Sequence, residues 1–261
     1  MKIIVCIKQV PDTTEVKLDP KTGRLIRDGV PSIINPDDKN ALEEALRIKD
    51  ENPDTTVTVV SMGPPQADVA MREALAMGAD EAILISGREF GGSDTWATSY
   101  IIATAIKKIP DYDIIFCGRQ AIDGDTAQVG PPIAEQLNIP QITYVQKLDI
   151  EGDKVIVQRQ LEDGYTVVEA KMPVLLTAIK ELNTPRYMTP KGIFEAYNKT
   201  VQVWGFNDVP VDAEKIGLKG SPTNVNRTFS PEAKGKGIML EGADKETVKT
   251  LIAKLDEKHL L

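Results

Sequence analysis

The chain has 261 residues, enough to bury a substantial core as one large domain or as a domain with a long appendage. Hydrophobic residues make up 41% of it, and no apolar run approaches the roughly 18 residues that span a bilayer, which argues against membrane insertion. A net charge of −8 offers no basic excess to displace counterions from nucleic acid, and the single histidine, His259, leaves no well-held base for a Ser-His-Asp triad and no His-rich zinc site.

Residues 2–8 read as a first strand. They carry one early charge and a short apolar run, without the long apolar core and cleavage site of a signal peptide. Cys6 and Cys117 each sit inside an apolar strand pattern and read as buried small hydrophobes, so the expectation is a reducing, cytoplasmic setting. Residues 37–49 have a helical apolar stripe of Ala41, Leu42, Ala45, Leu46 and Ile48. A β-branched strand at 56–61 follows, then a helix over 66–77 ending at Gly78. Next come a short strand at 82–85, a helix over 95–108 stopped by Pro110, and a strand at 114–117. Strands alternating with helices are the pattern of a parallel α/β sheet, Rossmann-like and flanked by helices, in which ligands bind beside the strands' carboxyl ends.

After about Pro140 the rhythm changes. Segments 142–150, 154–160 and 165–171 are strand-like, and Glu151-Gly152-Asp153 and Glu162-Asp163-Gly164 are turn signals between them, so an antiparallel meander is expected. Residues 174–178 read as a strand returning to the main sheet. From Leu182 the chain is loop-rich, with prolines at 185, 190, 210, 222 and 231. Such a segment buries little by itself. The expected division is therefore an α/β domain over 1–181 and a long arm over 182–261 that lies on a partner. A last amphipathic helix over 244–257 carries Val248, Leu251, Ile252 and Leu255 on one face, which also suits packing within the chain.

The richest stretch runs from Gly118 to Gly130. It leaves a buried strand and enters a helix, capped in this reading by Thr126, with Val129, Ile133 and Leu137 on its apolar side. Free N–H groups at such a junction attract phosphate, and Gly118 and Gly124 allow close approach. The same stretch fits an ordinary strand-to-helix connection equally well. Asp123 and Asp125 share one turn, which suits a solvated or capping arrangement, and no metal is assigned. No carboxylate pair stands out for acid–base work and no catalytic side chain is nominated. Any chemistry is borrowed from a cofactor.

Val157-Gln158-Arg159-Gln160-Leu161-Glu162-Asp163-Gly164, Met172-Pro173-Val174-Leu175-Leu176-Thr177 and Leu182-Asn183-Thr184-Pro185-Arg186-Tyr187 closely resemble the signature of electron-transfer flavoprotein β subunits. The likeness extends to Val5-Cys6-Ile7-Lys8-Gln9-Val10-Pro11-Asp12, Ile34-Asn35-Pro36-Asp37-Asp38, Ala74-Leu75-Ala76-Met77-Gly78-Ala79-Asp80 and the Gly118 loop, and so covers nearly the whole chain. The resemblance implies a heterodimer with a flavin-carrying α subunit, and in ordinary members of the family the β subunit binds AMP as a structural element. The positions matching those contacts are Cys6, Asn35, Pro36, Asp37, Asp38, Met62, and Gly118, Arg119, Gln120, Ala121, Ile122, Asp123, Gly124, Asp125, Thr126, Ala127, Gln128 and Val129.

One stretch looks like the electron-bifurcating branch instead: Ser86-Gly87-Arg88-Glu89-Phe90-Gly91-Gly92-Ser93-Asp94-Thr95-Trp96-Ala97-Thr98-Ser99, taken with the Gly118 loop. In that branch the β subunit binds FAD and NAD(H) docks on its ring, which adds Gly91, Gly92, Thr95 and Thr98 to the expected cofactor contacts. A plain loop with Asp94 or Thr95 as helix cap is the alternative, and Trp96 fits core packing. Arg119 would favour reduced, anionic flavin. The implied role is a redox subunit of a complex, passing electrons to ferredoxin or flavodoxin and, through the α-subunit flavin, to an acyl-CoA or related dehydrogenase. The ordinary AMP-binding subunit is the alternative, and a stand-alone nucleotide sensor of the universal-stress type is a further one. The family's dehydrogenase-recognition loop follows Arg186-Tyr187, and here Pro190 stands where an apolar anchor is expected.

Overall fold

The computed structural model describes residues 1–12, 31–226, 235 and 237–261. Pro231, one of the prolines named above, lies outside them. The chain divides into two compact units, Met1–Asn224 and Val225–Leu261.

In the first unit, β1 (Lys2–Cys6), β4 (Thr56–Met62), β5 (Glu81–Ile85), β6 (Ile114–Gly118), β10 (Val174–Ala178) and β11 (Val201–Trp204) are parallel strands. With β7 (Gln141–Glu151), β8 (Lys154–Gln160) and β9 (Tyr165–Lys171) they form one nine-stranded sheet in the order β11-β5-β4-β1-β6-β10-β7-β8-β9. β7 runs parallel to β10 at its start and antiparallel to β8 along the rest, which joins the meander to the α/β sheet without a break. The register shifts in both pairings of this strand, and Tyr144 sits at φ 57° with its N–H on Thr177 Oγ1 (3.1 Å). β2 (Gln9–Pro11) and β3 (Ser32–Ile34) make a separate antiparallel pair.

The two-residue period of the central strands assigns the helices to faces. Along β1, Ile3 and Val5 enter a core with α1 (Pro36–Glu51) and α2 (Asp68–Met77). Ile4 and Cys6 enter the opposite core with α3 (Thr95–Ile106) and α4 (Gly130–Leu137). Central strands covered on both faces must be apolar throughout, and β6 and β10 are buried at every position.

Two features of the region after Leu182 depart from the loop-rich arm expected there. Residues Pro190–Asn198 form α5, which packs on α2 so closely that a side chain at Gly192 would collide with the Ala76 carbonyl. Residues Val201–Trp204 are β11, which extends the sheet beside β5. The first unit runs to Asn224 and so includes both elements. Prolines hid this, because Pro190 opens a helix at its first turn, where a missing N–H costs nothing.

The signature segment before α5 crosses α1 as a polar strap. Asn183 Nδ2 donates to Glu44 Oε2 (2.8 Å), and Arg186 forks onto Glu43 with Nε–Oε2 2.9 Å and Nη2–Oε1 3.0 Å. The Arg186 N–H also reaches Glu43 Oε2 (2.9 Å), and Nη2 reaches Asp50 (2.7 Å). Hydrogen bonding to Glu43 pushes the guanidinium even higher than its usual range. Burial raises Glu44 against the bonds from Asn183 and Arg47. In the second unit, α6 (Lys245–Asp256) is capped by Asp244 and leaves Val248, Leu251 and Ile252 about half exposed.

Candidate functional site

The parallel strands β1, β4, β5 and β6 end together, and their carboxyl ends open into a cleft of about 1090 Å³. Cys6, Met62, Ile85 and Gly118 mark the strand ends, and loops over 86–95 and 118–130 form the walls. Of the residues nominated from the sequence, Cys6, Asp38, Met62, Gly91, Gly92, Thr95, Thr98, Gly118, Arg119, Gln120, Ala121, Gly124, Thr126, Ala127, Gln128 and Val129 line it. Asn35, Pro36, Asp37, Ile122, Asp123 and Asp125 are not part of its lining.

Most of these six hold the wall in place. Asn35 clamps the 118–130 loop from both sides, donating from Nδ2 to the Gln120 carbonyl (2.8 Å) and accepting the Ile122 N–H at Oδ1 (3.1 Å). Asp123 pairs with Lys8 at 2.6 Å, and Asp125 accepts a hydrogen bond from the Gln120 side chain. Asp37 Oδ2 lies 3.2 Å from Arg119 Nε, close enough to pair as charges, although the N–H is not aligned for a hydrogen bond. Burial raises Asp37 while Arg119 pulls it down.

Asp38 is the keystone. Its Oδ2 accepts the Lys8 N–H (2.7 Å) and its Oδ1 the Gly118 N–H (2.9 Å), so one carboxylate ties the ends of β1 and β6 together. Burial pushes it up to about 7, against the bonds from Asn35, Lys8 and Gly118. This gives Gly118 a different physical role from the one read in the sequence. A Cβ there would run into the carboxylate and backbone of Asp38, so the glycine makes room for Asp38. Gly124 has open space around it, as a ligand-facing glycine should. Beside Asp38, Cys117 and Cys6 are in-register neighbours on β6 and β1. A hydrogen bond from its own thiol to Cys6, together with burial, pushes Cys117 well up, which makes it a poor nucleophile.

The helix expected from Thr126 starts at Gly130 instead. Pro131 and Pro132 fix the first turn, and Asp125 (φ 55°) and Ala127 (φ 51°) take left-handed conformations unsuited to a helix. Left-handed non-glycine residues gather where a ligand site over-determines the backbone. No acceptor among the described residues takes the N–H groups of 126–130. Amides with no acceptor among the described residues suit an anion such as phosphate, and these lie in the loop before the helix. Across the cleft, Thr95 Oγ1 bonds Gln128 Oε1 (2.9 Å), and Asp94 caps α3 through the Ala97 N–H (2.9 Å). Trp96 is not core. It is 40% exposed and stacks on Tyr100 with centroids 5.9 Å apart.

The sequence reading left out Lys8, Gly63, Pro64, Pro65 and Val203, which also line the cleft. Gly63-Pro64-Pro65 follows β4 directly, so the strand-end rule could have found it. Val203 could not be placed without knowing that β11 joins the sheet. Among the described residues no group of three or more His, Cys, Asp or Glu side chains converges to hold a metal. No helix among them is long and apolar enough to cross a membrane.

A family model described as "Electron transfer flavoprotein domain" matches residues 22–209. An "Electron transfer flavoprotein subunit beta" from Thermoanaerobacterium thermosaccharolyticum is 62% identical over 262 residues, covering all of both chains. The chain belongs to the electron transfer flavoprotein β-subunit family. Family relatives include the "Caffeyl-CoA reductase-Etf complex subunit CarD" of Acetobacterium woodii, 58% identical over the whole of both chains. Another is the "Acryloyl-CoA reductase electron transfer subunit gamma" of Anaerotignum propionicum, 53% identical over the same full extent.

Proposed function

We propose that this β subunit binds FAD in the cleft and accepts reducing equivalents from NADH as part of a cytoplasmic, electron-bifurcating heterodimer. The observation that carries the reading is the extent of the cleft. It passes from the 126–130 loop to Gly91 and Gly92, and its 1090 Å³ lies just above the roughly 300–1,000 Å³ typical of ligand pockets. A mononucleotide would engage the phosphate side and leave the Gly91 side unfilled. The names of the caffeyl-CoA and acryloyl-CoA reductase relatives tie those proteins to reductases of CoA esters, which supports a partner of that kind here. When bound, FAD supplies two-electron chemistry with NADH and one-electron chemistry with ferredoxin or flavodoxin and, through a flavin of the α subunit, with an acyl-CoA or related dehydrogenase.

The chain's own residues would do the following. The N–H groups of 126–130 hold the pyrophosphate, with Arg119 and Lys8 supplying positive charge at the wall. Asp38 and Asn35 keep that wall rigid. Gly91 and Gly92 bring backbone close to the ring. The stretch beyond Asn224 docks on the α subunit, and Phe194, 76% exposed on α5, takes the anchoring part for the dehydrogenase that Pro190 cannot.

Denaturing the purified heterodimer and quantifying the released nucleotides tests the reading. Two FAD per heterodimer are expected. One FAD and one AMP would overturn it in favour of the ordinary structural-AMP subunit.

A further inference from the structure

The loop over 87–95 that lines the cleft is held from behind by a segment far along the chain. Ser221, 6% exposed, accepts the Asp94 N–H at Oγ (2.8 Å) and donates to the Gly217 carbonyl (2.7 Å). Gly217 in turn donates its N–H to Ser93 Oγ (2.9 Å), and Ser93 donates to the Phe90 carbonyl (2.8 Å). Asp94 divides its carboxylate between two tasks. Oδ1 caps α3 through Ala97, and Oδ2 accepts the Thr223 N–H at 2.9 Å.

The approach is close enough to demand glycine. Gly217 sits at φ 61°, where a Cβ would collide with the Glu89 carbonyl. Gly92, at φ 82°, packs against Leu218, whose Cβ would lie 3.3 Å from an added Cβ. Gly92, Ser93, Asp94 and Thr95 all face the cleft. The bonds from 217–223 therefore engage the loop from its far side.

We propose that Ser93, Asp94 and Ser221 form a clasp that positions the 91–95 loop for the nucleotide, so that 216–223 is a working part of the binding site. The proposal rests on the reading of the cleft as an FAD site. The physical ground is preorganisation. A loop held only at its ends would otherwise lose conformational freedom on binding, and the clasp fixes it beforehand.

The full chain, purified with its α subunit and freed of loosely held nucleotide, is titrated with FAD as the parent and as Ser221→Ala and Asp94→Ser. A serine at 94 still caps α3 but cannot reach the Thr223 N–H, so it separates the clasp from the cap. Each variant is expected to bind FAD three- to tenfold more weakly. The double variant should be little weaker than the worse single one, because both break the same tie. If Asp94→Ser and Ser221→Ala bind FAD as the parent does, the clasp is overturned and Asp94 is only a cap. If the parent takes up AMP and no FAD, the functional reading fails, and the variant-to-parent ratio for AMP decides the clasp by itself. Should the variants not fold, hydrogen exchange on the parent decides. FAD should slow exchange at Gly217 and Thr223 together with Asp94, and unchanged exchange at 217 and 223 overturns the proposal.

Discussion

Replacing Arg186 by Ala removes one half of the fork that straps the 182–187 segment onto α1. Glu43, whose side chain is 6% exposed, would keep only the backbone N–H of residue 186 as partner. Breaking a buried pair from one side costs about 3–5 kcal/mol, because an uncompensated charge remains inside. Arg186 is 31% exposed, so water screens part of this, and about 2–3 kcal/mol is expected. At roughly 2–4 °C per kcal/mol for a unit of this size, the thermal midpoint should fall by about 5–10 °C. Arg186→Lys keeps the charge and loses the fork, so it should fall between the two. Asp50→Ala should cost under about 1 kcal/mol, since that carboxylate is 62% exposed. Urea unfolding of the parent, Arg186→Ala, Glu43→Gln and the double variant measures the coupling. In the Glu43→Gln background, loss of Arg186 should cost about 1 kcal/mol or less. An equal cost in both backgrounds would refute the buried-charge argument.

Asp38 makes stability depend on pH in a direction opposite to that of most carboxylates. Its native form holds a proton to about pH 7 while the unfolded form releases it near 3.8, so this contribution is present below about pH 4 and lost as pH rises through 7. The raised Asp37 and Glu44 act in the same sense. Unfolding free energies from urea titrations should fall between pH 5 and 8 by up to about 3 kcal/mol from Asp38, and Asp38→Asn should flatten the profile. An Asn variant with the parent's slope would place the dependence elsewhere. Gly118→Ala forces a methyl group into Asp38 and should destabilise by about 2–3 kcal/mol with loss of bound nucleotide. A variant of parental stability and nucleotide content would count against the Asp38 tie. Gly92→Val, at φ 82° and against Leu218, should slow NADH-dependent bleaching of the flavin in this subunit severalfold at matched occupancy in stopped flow. Reduction at the parent rate would remove the loop from hydride transfer.

Local signals carried much of the fold. Strands at 154–160, 165–171 and 174–178 lie where alternation and turn residues put them, because side-chain period and turn chemistry act within a few residues. The misplaced start at Thr126 shows local propensity overruled by backbone, with Pro131-Pro132 and two left-handed residues deferring the helix to Gly130. β11 was missed because four residues, two of them exposed, show almost no pattern, and only pairing with β5 makes them a strand. In the cleft, strand ends were legible and long-range ties were not. Asp38 and Gly118 are 80 residues apart, and their mutual fit exists only once β1 and β6 are neighbours. The resemblance named Asp38 as a contact, while the structure gives it a second task as a brace.

The lateness of the clasp in the chain orders events during synthesis. Ser221 and Thr223 are made more than 120 residues after the loop they secure, and Val203 of the cleft wall more than 80 residues after β6. A ribosome adding about 5–20 residues per second releases the central strands several seconds before these last pieces. The nascent sheet is thus complete at its centre while its ligand cleft still lacks a wall and a brace. A nucleotide that needs the whole cleft can be held only after these pieces have joined, so cofactor starvation should leave folded, empty subunits in the cell more than misfolded ones.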